Sequence, residues 1–392
     1  MNFLLVAIST GLLIPAAILF IEVANGLRRK SVSSVADLNA LRPYRSAVVM
    51  PAHNESSGIA PAIQAVLAQL QAGDRLVVVA DNCTDDTASV ARLAGAEVIE
   101  RHDPERKGKG YALDFGVRWL EKAPPDFTII VDADCGVQPH CISELTRLSA
   151  ASGRPTQALY LMHAAPNSRL SLRIAEFAWI IKNKVRPLGC LAMGWPCQLM
   201  GTGMAFPWSV MQAAPLATGH LVEDMQLGLD LAKTGTPPLF CPRAQVISNF
   251  PSDVASINSQ RTRWEHGHIS VLIALGPKIL WRALKRRNFS LLFMVLDLMV
   301  PPLAGLVLIL AMMGVINTIW WFFTARAEPM MLSLIATTFV LTSVVFAWVR
   351  EGRQIVSPGE MLSMPWYVIA KIPVYIRLFT KRQVEWVRTK RD

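Results

Sequence analysis

The sequence predicts an α/β domain with a mostly parallel sheet, flanked at both ends by helices that could cross a membrane. Apolar β-branched runs alternate with helical patterns through the middle of the chain, as in strand–helix–strand units. Both ends contain apolar segments long enough to span a bilayer. The chain is 52% hydrophobic and 17% charged, which is too apolar for an ordinary soluble enzyme. The predicted parts are residues 1–30, 31–275 and 276–392.

The first apolar segment, residues 3–23, predicts a membrane helix. A cleaved signal peptide would begin with cations, whereas here Arg28-Arg29-Lys30 follow the apolar run. We therefore expect an uncleaved helix whose C-terminal end lies in the cytoplasm.

Five strands and four helices alternate in the middle part. The predicted strands are Ala47 to Met50, Leu76 to Ala80, Glu97 to Ile99, Phe127 to Val131 and Ala158 to Met162. The predicted helices are Ile59 to Leu70, Thr84 to Ala94, Gly110 to Glu121 and His140 to Ala150. This order favours a parallel sheet with helices on both faces. A G-x-G-x-x-G motif is absent from the sequence, which disfavours a nicotinamide or flavin enzyme.

Two amphipathic helices are predicted to hold the middle part against a membrane. Residues 171–185 combine an apolar face with three cations, and a second helix runs from residue 260 to about residue 275. On that second helix Gln260, Arg263 and Trp264 share one face, at spacings i, i+3 and i+4.

The C-terminal part predicts further membrane segments. Residues 289–323 form either one broken helix or a short interfacial piece followed by a span, and residues 330–349 form another span. Residues 361–380 contain two prolines and two cations, so an interfacial helix is favoured over a third span. The basic tail and the net charge of +10 favour anionic headgroups as neighbours. Positive-inside logic predicts a multi-pass protein of the inner (plasma) membrane with a cytoplasmic catalytic domain.

Polar residues cluster where the predicted strands end. The clusters are Pro51-Ala-His53-Asn54-Glu55, Asp81-Asn82-Cys-Thr-Asp85-Asp86, Lys107-Gly-Lys109-Gly110 and Asp132-Ala-Asp134. Helix capping or tight turns could explain each cluster alone. Together, at one sheet edge, they suit a nucleotide: amides and carboxylates for base and ribose, Lys109 for phosphate, and a metal for a diphosphate.

Asp132 and Asp134 are the candidate metal ligands. Two carboxylates one residue apart repel each other unless a cation or donor lies between them. Mg²⁺ and Mn²⁺ prefer such oxygen ligands, often shared with substrate phosphates. A solvated turn is the alternative, since Asp is common after strands.

In these clusters the chain resembles the membrane-bound family 2 glycosyltransferases of GT-A fold, from Val48 to about Trp264. Further matching motifs are Gly201-Thr202-Gly203, Glu223-Asp224 and Gln260-Arg-Thr-Arg263-Trp264. The last, of the form Q-x-x-R-W, is typical of cellulose, chitin and hyaluronan synthases and also occurs in ceramide glucosyltransferase.

The resemblance implies a nucleotide-sugar donor, most simply a UDP-sugar. It implies that the first strand-end loop, Pro51, His53, Asn54 and Glu55, binds the donor with Asp81, Asn82 and Lys109. Asp132 would contact ribose, and Asp132 and Asp134 would hold the diphosphate-bound Mg²⁺ or Mn²⁺. Gln260 and Arg263 would contact the diphosphate.

The resemblance also implies the acceptor side. Asp224 would be the general base for the acceptor hydroxyl, giving inversion at the anomeric carbon, and a pKa raised by burial would suit that role. Gly201, Thr202, Gly203, Glu223 and Trp264 would contact the acceptor. Alternatively, Asp224 stabilises a helix N-terminus, and Trp264 anchors its helix at the membrane interface.

Several functions compete at this stage. The favoured one is sugar transfer to a membrane-associated, lipid-linked or polysaccharide acceptor in exopolysaccharide or envelope-glycan synthesis. A processive polysaccharide synthase is disfavoured because channel-forming relatives carry more spans. A haloacid-dehalogenase-like phosphatase is disfavoured because its nucleophile loop usually follows the first strand of the domain, whereas several strands precede Asp132 here. A non-catalytic membrane scaffold is disfavoured because the acidic and Q-x-x-R-W positions are intact. The soluble part has no basic stripe interleaved with aromatics, so no nucleic-acid partner is expected.

Overall fold

A computed structural model of the chain describes residues 1–28, 42–219, 222–251 and 254–380. The strands are β1 (Ser46–Ala52), β2 (Arg75–Asp81), β3 (Glu97–Arg101), β4 (Phe127–Ile130), β5 (Gly136–Val137), β6 (Thr156–His163), β7 (Met204–Pro207) and β8 (Leu239–Asn249). The helices up to the last strand are α1 (Asn2–Arg28), α2 (Ile59–Leu67), α3 (Thr87–Leu93), α4 (Lys109–Leu120), α5 (Cys141–Ser152), α6 (Leu170–Ile180), α7 (Arg186–Ala192), α8 (Trp208–Gln212) and α9 (Glu223–Lys233). The helices after it are α10 (Val254–Lys285), α11 (Phe289–Leu298), α12 (Leu303–Thr324), α13 (Glu328–Ala347), α14 (Pro358–Met361), α15 (Met364–Ile369) and α16 (Ile372–Thr380).

The chain forms two compact units. Of the described residues, the sheet unit contains 42–163, 196–219, 222–251 and 254–259, and the helical unit contains 1–28, 164–195 and 260–380. Residues 164–195 and 260–275, which lie inside the predicted 31–275 domain, therefore group with the apolar helices.

The sheet unit is built on one eight-stranded sheet, in the order β3-β2-β1-β4-β7-β6-β8-β5. The strands β1 to β4 are mutually parallel, and β7 and β5 run antiparallel to their neighbours. The central strands are apolar on both faces because helices cover both sides of a parallel sheet. The predicted α/β class with a mostly parallel sheet is confirmed.

A small residue sets the distance between α4 and the sheet. A Cβ atom at Gly116 would lie 2.8 Å from Val49 Cγ1 and 2.9 Å from Val79 Cγ2. Those two valines are fully buried, so a larger residue at position 116 would push the helix off β1 and β2. The N-terminus of α4, which carries Lys109, is thereby held close to the carboxyl ends of the strands.

Within the described part of the chain, three helices of the helical unit are long and apolar enough to cross a membrane. They are Asn2–Arg28, Leu303–Thr324 and Glu328–Gly352, the last being α13 with a π-helical turn (Trp348–Gly352). The helix α11 is separate and shorter. For residues 289–323, this supports the interpretation of a short piece followed by a span.

A buried ion-pair network joins α1, α7 and α11. Arg186 Nε donates to Glu22 Oε2 at 2.6 Å, and its Nη2 donates to Asp297 Oδ1 at 2.6 Å. Gly26 and Gly189 let α1 and α7 approach closely, since a Cβ at Gly189 would lie 1.9 Å from the carbonyl oxygen of Glu22. The charges of Glu22 and Arg186 are acceptable there only as a hydrogen-bonded pair.

We expect Arg186→Met to destabilise the helical unit by about 3–5 kcal/mol, because it leaves Glu22 buried without its cation. The matched change Lys184→Met removes a half-exposed pair with Glu351 and should cost at most about 1 kcal/mol. Thermal unfolding of the detergent-solubilised protein, followed by tryptophan fluorescence, would compare the two. Equal transition temperatures for both variants would contradict the importance of the network.

Candidate active site

Three of the predicted clusters follow β1, β2 and β4, which are adjacent parallel strands. Their carboxyl ends therefore meet at one edge of the sheet, where open α/β sheets bind ligands. The first two clusters are in contact: His53 Nδ1 donates to the carbonyl oxygen of Asp81 at 2.6 Å, and the Glu55 amide donates to Thr87 Oγ1 at 2.8 Å. Pro51, the next-to-last residue of β1, is half-buried.

Two asparagines predicted to bind the donor also hold these loops together. Asn54 and Asn82 adopt left-handed backbone conformations, with φ of 56° and 51°, which asparagine tolerates better than most residues. Asn54 Oδ1 accepts the Thr84 amide at 2.7 Å, and Asn82 Oδ1 accepts the Asp103 amide at 2.8 Å. These side chains shape the edge of the site, and their contact with a donor remains a prediction.

Arg101 is a site residue that sequence analysis missed. Its Nη1 donates to Asp81 Oδ1 at 2.7 Å, and its Nη2 donates to Asp103 Oδ2 at 2.9 Å. The parallel register places Arg101 directly beside Asp81. Both side chains are buried, so Asp81 is fixed in orientation by a charge-assisted bond. The sequence shows a cation at the end of β3, but pairing it with Asp81 requires the register of β2 and β3.

Lys109 lies at the centre of a charged cluster beside the strand ends. Its ammonium group pairs with Asp132 and donates to the carbonyl oxygen of Gly201 at 2.8 Å. Burial lowers the pKa of Lys109, but the charges of Asp132, Glu223 and Asp224 outweigh this effect and raise it. Lys109 therefore stays protonated, bonded to Asp132 and close enough to the start of α9 to feel the charges of Glu223 and Asp224.

Glu223 and Asp224 form the first turn of α9, as one alternative for Asp224 anticipated. Burial and the adjacent Asp224 charge raise the pKa of Glu223 to about 7, against the opposing effect of Lys109. Both carboxylates line a small pocket that also contains Lys109 and Leu216. This pocket offers acid–base groups next to a fixed cation.

The Gly201-Thr202-Gly203 segment forms the loop between this pocket and β7. Gly201 has φ of +89°, and a Cβ there would lie 3.4 Å from Asp224 Oδ2 and 3.6 Å from Lys109 Nζ. Thr202 Oγ1 accepts the Asp132 amide at 3.1 Å. A Cβ at Gly203, whose φ is +65°, would lie 2.8 Å from Ala158 Cβ. The left-handed backbone therefore favours glycine at both positions, and at position 203 a side chain would also lack space. The structure brings all three residues beside the charged cluster.

Gln157 of β6, which sequence analysis also missed, fixes this loop through hydrogen bonds to its backbone. The side chain is fully buried; its Nε2 donates to the carbonyl oxygen of Thr202 at 2.9 Å, and its Oε1 accepts the Met200 amide at 2.8 Å. A glutamine within the apolar β6 carries no sequence signal for this contact, because its partners lie more than forty residues away.

Asp132 and Asp134 form the candidate metal position. Each offers one carboxylate oxygen, and these atoms and Cys135 Sγ lie within 4.8 Å of one another. The thiol of Cys135 donates to Asp134 Oδ1 at 3.3 Å, so the thiol is held against the pair. Two carboxylates at this spacing match the oxygen preference of Mg²⁺ or Mn²⁺.

The Q-x-x-R-W residues lie on α10, in the part that belongs to the helical unit. Gln260 is buried, and its Oε1 has no hydrogen-bond partner among the described residues. Arg263 is half-buried. Trp264 packs against Trp179 of α6 with ring centroids 4.9 Å apart, so it has a packing role whether or not it contacts an acceptor.

The six cysteines of the chain and two histidines of α10 have other environments. All six cysteines lie in the described part of the chain, none of them forms a disulfide, and five are buried. His266 Nε2 donates to the carbonyl oxygen of Val374 at 3.0 Å, and His268 Nε2 donates to that of Leu298 at 2.9 Å.

Comparison with known proteins gives a family match and partial matches to relatives. A family model described as "Glycosyltransferase like family 2" matches residues 43–267, more than half of the chain. A low-salt glycan biosynthesis hexosyltransferase of Haloferax volcanii is 44% identical over 92 residues, which is 22% of this chain and 20% of the relative. A glucosyl-3-phosphoglycerate synthase of Mycolicibacterium paratuberculosis is 36% identical over 115 residues, 27% of this chain and 33% of the relative. The chain thus spans at most a third of these two relatives.

A solved structure shows the same fold over most of the chain. The mannosyltransferase of Pyrobaculum calidifontis, in complex with GDP-mannose and Mn²⁺, superposes with a TM-score of 0.51 and is 15% identical in sequence. The superposition covers 88% of this chain and 100% of the other. At this identity the likeness shows the GT-A fold and leaves substrates open.

We expect Gln157→Ala to lower stability by about 1–3 kcal/mol, because the Met200 amide and the Thr202 carbonyl would lose a buried partner. Its control, Gln64→Ala, removes a bond to the Ala94 carbonyl at an exposed site and should change stability by less than about 0.5 kcal/mol. Denaturant unfolding of the full chain in detergent measures both. A Gln157→Ala midpoint equal to that of the control would contradict the role assigned to this side chain.

Proposed function

The chain belongs to glycosyltransferase-like family 2, and we propose that it moves a sugar from a nucleotide-sugar donor to a membrane-associated acceptor with inversion at the anomeric carbon. The observation that carries this proposal is the cluster of Lys109 with Asp132, Glu223 and Asp224. This cluster supports the proposal because a cation bonded to Asp132 and two carboxylates that can accept a proton lie in one site.

The donor is proposed to bind along the carboxyl ends of β1, β2 and β4. Glu55 and the oriented Asp81 suit the nucleobase, and Asp132 suits the ribose. Lys109 is in position to meet the diphosphate charge if its bond to Asp132 is exchanged. UDP-sugars are the first donors to test, and the GDP-mannose bound by the structural relative makes GDP-sugars the second.

A divalent metal is proposed at Asp132 and Asp134. The donor set fits it, because two closely spaced carboxylates beside a cluster rich in negative charge favour a further cation. Bound there, Mg²⁺ or Mn²⁺ would offset the negative charge on the departing diphosphate. The Mn²⁺ in the solved relative supports the same proposal.

Asp224 is the proposed general base. The acceptor hydroxyl oxygen bonds to the anomeric carbon as the bond from that carbon to the diphosphate oxygen breaks. Asp224 takes the hydroxyl proton, and the nucleoside diphosphate leaves with the electron pair. Lys109 stabilises charge developing on the leaving group from a position that needs no rearrangement of α4. Glu223, with its raised pKa, is suited to hydrogen-bond the acceptor.

The acceptor is proposed to be a lipid-linked or polysaccharide glycan at the inner membrane, with the sheet unit in the cytoplasm. The three apolar helices support membrane association. The three candidate spans among the described residues also favour single addition over processive synthesis, the second candidate within this class. Since the chain matches the transferase family, a phosphatase is disfavoured.

Nucleotide release tests the function directly. Purified full-length protein in lipid nanodiscs is incubated with a panel of UDP- and GDP-sugars and a membrane-lipid extract, and free nucleoside diphosphate is measured. We expect release with one donor, loss of release after EDTA, and its return with Mn²⁺ or Mg²⁺. Release of inorganic phosphate, or activity unaffected by EDTA, would contradict the proposal.

We expect Asp224→Asn to lower transfer at least a hundredfold while the donor Kd changes less than threefold, because the amide cannot accept the proton but keeps the shape. Asp230→Asn, on the same helix, serves as the control and should retain wild-type transfer. Wild-type turnover in Asp224→Asn would assign the base elsewhere.

A further inference from the structure

The last described segment, Ser357–Thr380, contains α14, α15 and α16 and is called the terminal strap here. It begins five residues after the third apolar helix ends. Ser357 and Glu360 form a capping box that starts α14, and Glu360 also pairs with Arg173 of α6. The strap is therefore anchored at its first turn to the helical unit.

The outward side of the strap is apolar. The exposed large side chains are Leu362, Trp366, Ile369, Ile372 and Ile376. They recur at spacings of three and four residues across the three short helices and the turns between them, and this set is called the stripe here. Leu362 and Trp366 are 81% and 73% exposed. Soluble proteins rarely expose several large apolar side chains next to one another.

The inward side of the strap is polar. Lys371 Nζ donates to Glu265 Oε1 at 2.6 Å, and Arg261 donates to the Tyr367 hydroxyl. The Val374 carbonyl accepts from His266. The distribution is thus the reverse of that on a water-facing helix, because charge is buried and apolar area is exposed.

We propose that the outward stripe of the terminal strap lies in the headgroup region of a bilayer and positions the Q-x-x-R-W segment of α10 from there. The lipid surface is the chosen partner for two reasons. The stripe continues from helices that can cross a membrane, and exposed Arg350, Arg353 and Arg377 lie before and at the end of the strap, matching anionic headgroups. Trp366, in the stripe, is a residue type favoured at membrane interfaces.

The strap can affect the Q-x-x-R-W segment because it contacts residues of the same turns of α10. Arg261 and Glu265 are one helical turn apart and interleave with Gln260, Arg263 and Trp264. A strap seated on the bilayer would hold this turn of α10 in one orientation. The functional part of the inference rests on the proposed transferase activity, whereas the lipid contact does not.

Lipid contact is measured with a fluorophore on the stripe. Trp366→Cys is labelled with a thiol-reactive NBD dye in the full chain, with labelled wild type giving the background from its native cysteines. In phosphatidylcholine–phosphatidylglycerol nanodiscs, we expect a shallow doxyl lipid to quench the dye at least twofold. The same dye at Glu105→Cys, an exposed polar position after β3, should not be quenched. An unquenched dye at position 366, or a stripe covered by a second copy in a dimer, would overturn the proposal.

Coupling is measured by comparing nanodiscs with detergent. We expect Trp366→Glu to lower sugar transfer about tenfold in nanodiscs and less than twofold in detergent, where no bilayer surface exists. Leu93→Glu puts the same charge on another exposed apolar residue, on α3, and should change neither. Equal loss in both media, or none in nanodiscs, would contradict the coupling. If wild type transfers no sugar at all, the proposed function fails while the quenching result still decides the lipid contact.

A charge exchange between Glu265 and Lys371 tests whether this ion pair positions α10. Glu265→Lys and Lys371→Glu should each lower transfer in nanodiscs, and the double variant should recover at least half of the wild-type rate. Failure of the double variant to exceed either single variant would show that this pair does not position α10.

Discussion

The charge balance around Lys109 is the constraint on which the proposed chemistry depends. One ammonium group, fixed by Asp132 and by the Gly201 carbonyl, lies near the carboxylates that begin α9. Burial, and then the adjacent charge of Asp224, raise the pKa of Glu223 there. A site built in this way stabilises added cations and strongly polarised ligands, which is what a metal-bound nucleotide diphosphate supplies. Two glycines support this arrangement: Gly116 lets α4 lie close to the sheet, and Gly201 adopts a left-handed backbone beside Lys109.

The helical unit solves a different physical problem. Polar groups within apolar helices must find partners inside the unit, and they do so in two layers. Near one end of α1, Arg186 joins Glu22 to Asp297. Toward the other end, Asn317 Nδ2 donates to Ser9 Oγ at 2.9 Å and to Ser333 Oγ at 2.7 Å, linking α1, α12 and α13. These networks fix helix orientation where apolar packing alone would be less specific.

Sequence analysis predicted the elements that pattern and composition determine. Strands such as Val48 to Met50 are continuous apolar runs because both faces are buried, and the predicted strands match the observed ones within two residues at each end. The strands β5, β7 and β8 were missed: β5 has two residues and β7 four, and β8 alternates buried with half-exposed positions around Pro242 and Arg243. The roles of Arg101 and Gln157 depend on strand register and on a distant loop, which local patterns do not encode. The sequence around Lys109 predicted a contact with phosphate. Its ion pair with Asp132 could not be predicted, because only the fold brings these two residues together.

The most direct test of this account is nucleotide binding by isothermal titration calorimetry, using UDP and GDP with and without Mn²⁺ on the purified full-length chain. The account predicts saturable binding of one nucleoside diphosphate that weakens at least tenfold when Mn²⁺ is omitted, and likewise in Asp134→Asn with Mn²⁺ present. Binding that is indifferent to both changes, or no binding of either nucleotide, would contradict the claim that this sheet edge holds a metal-bound sugar donor.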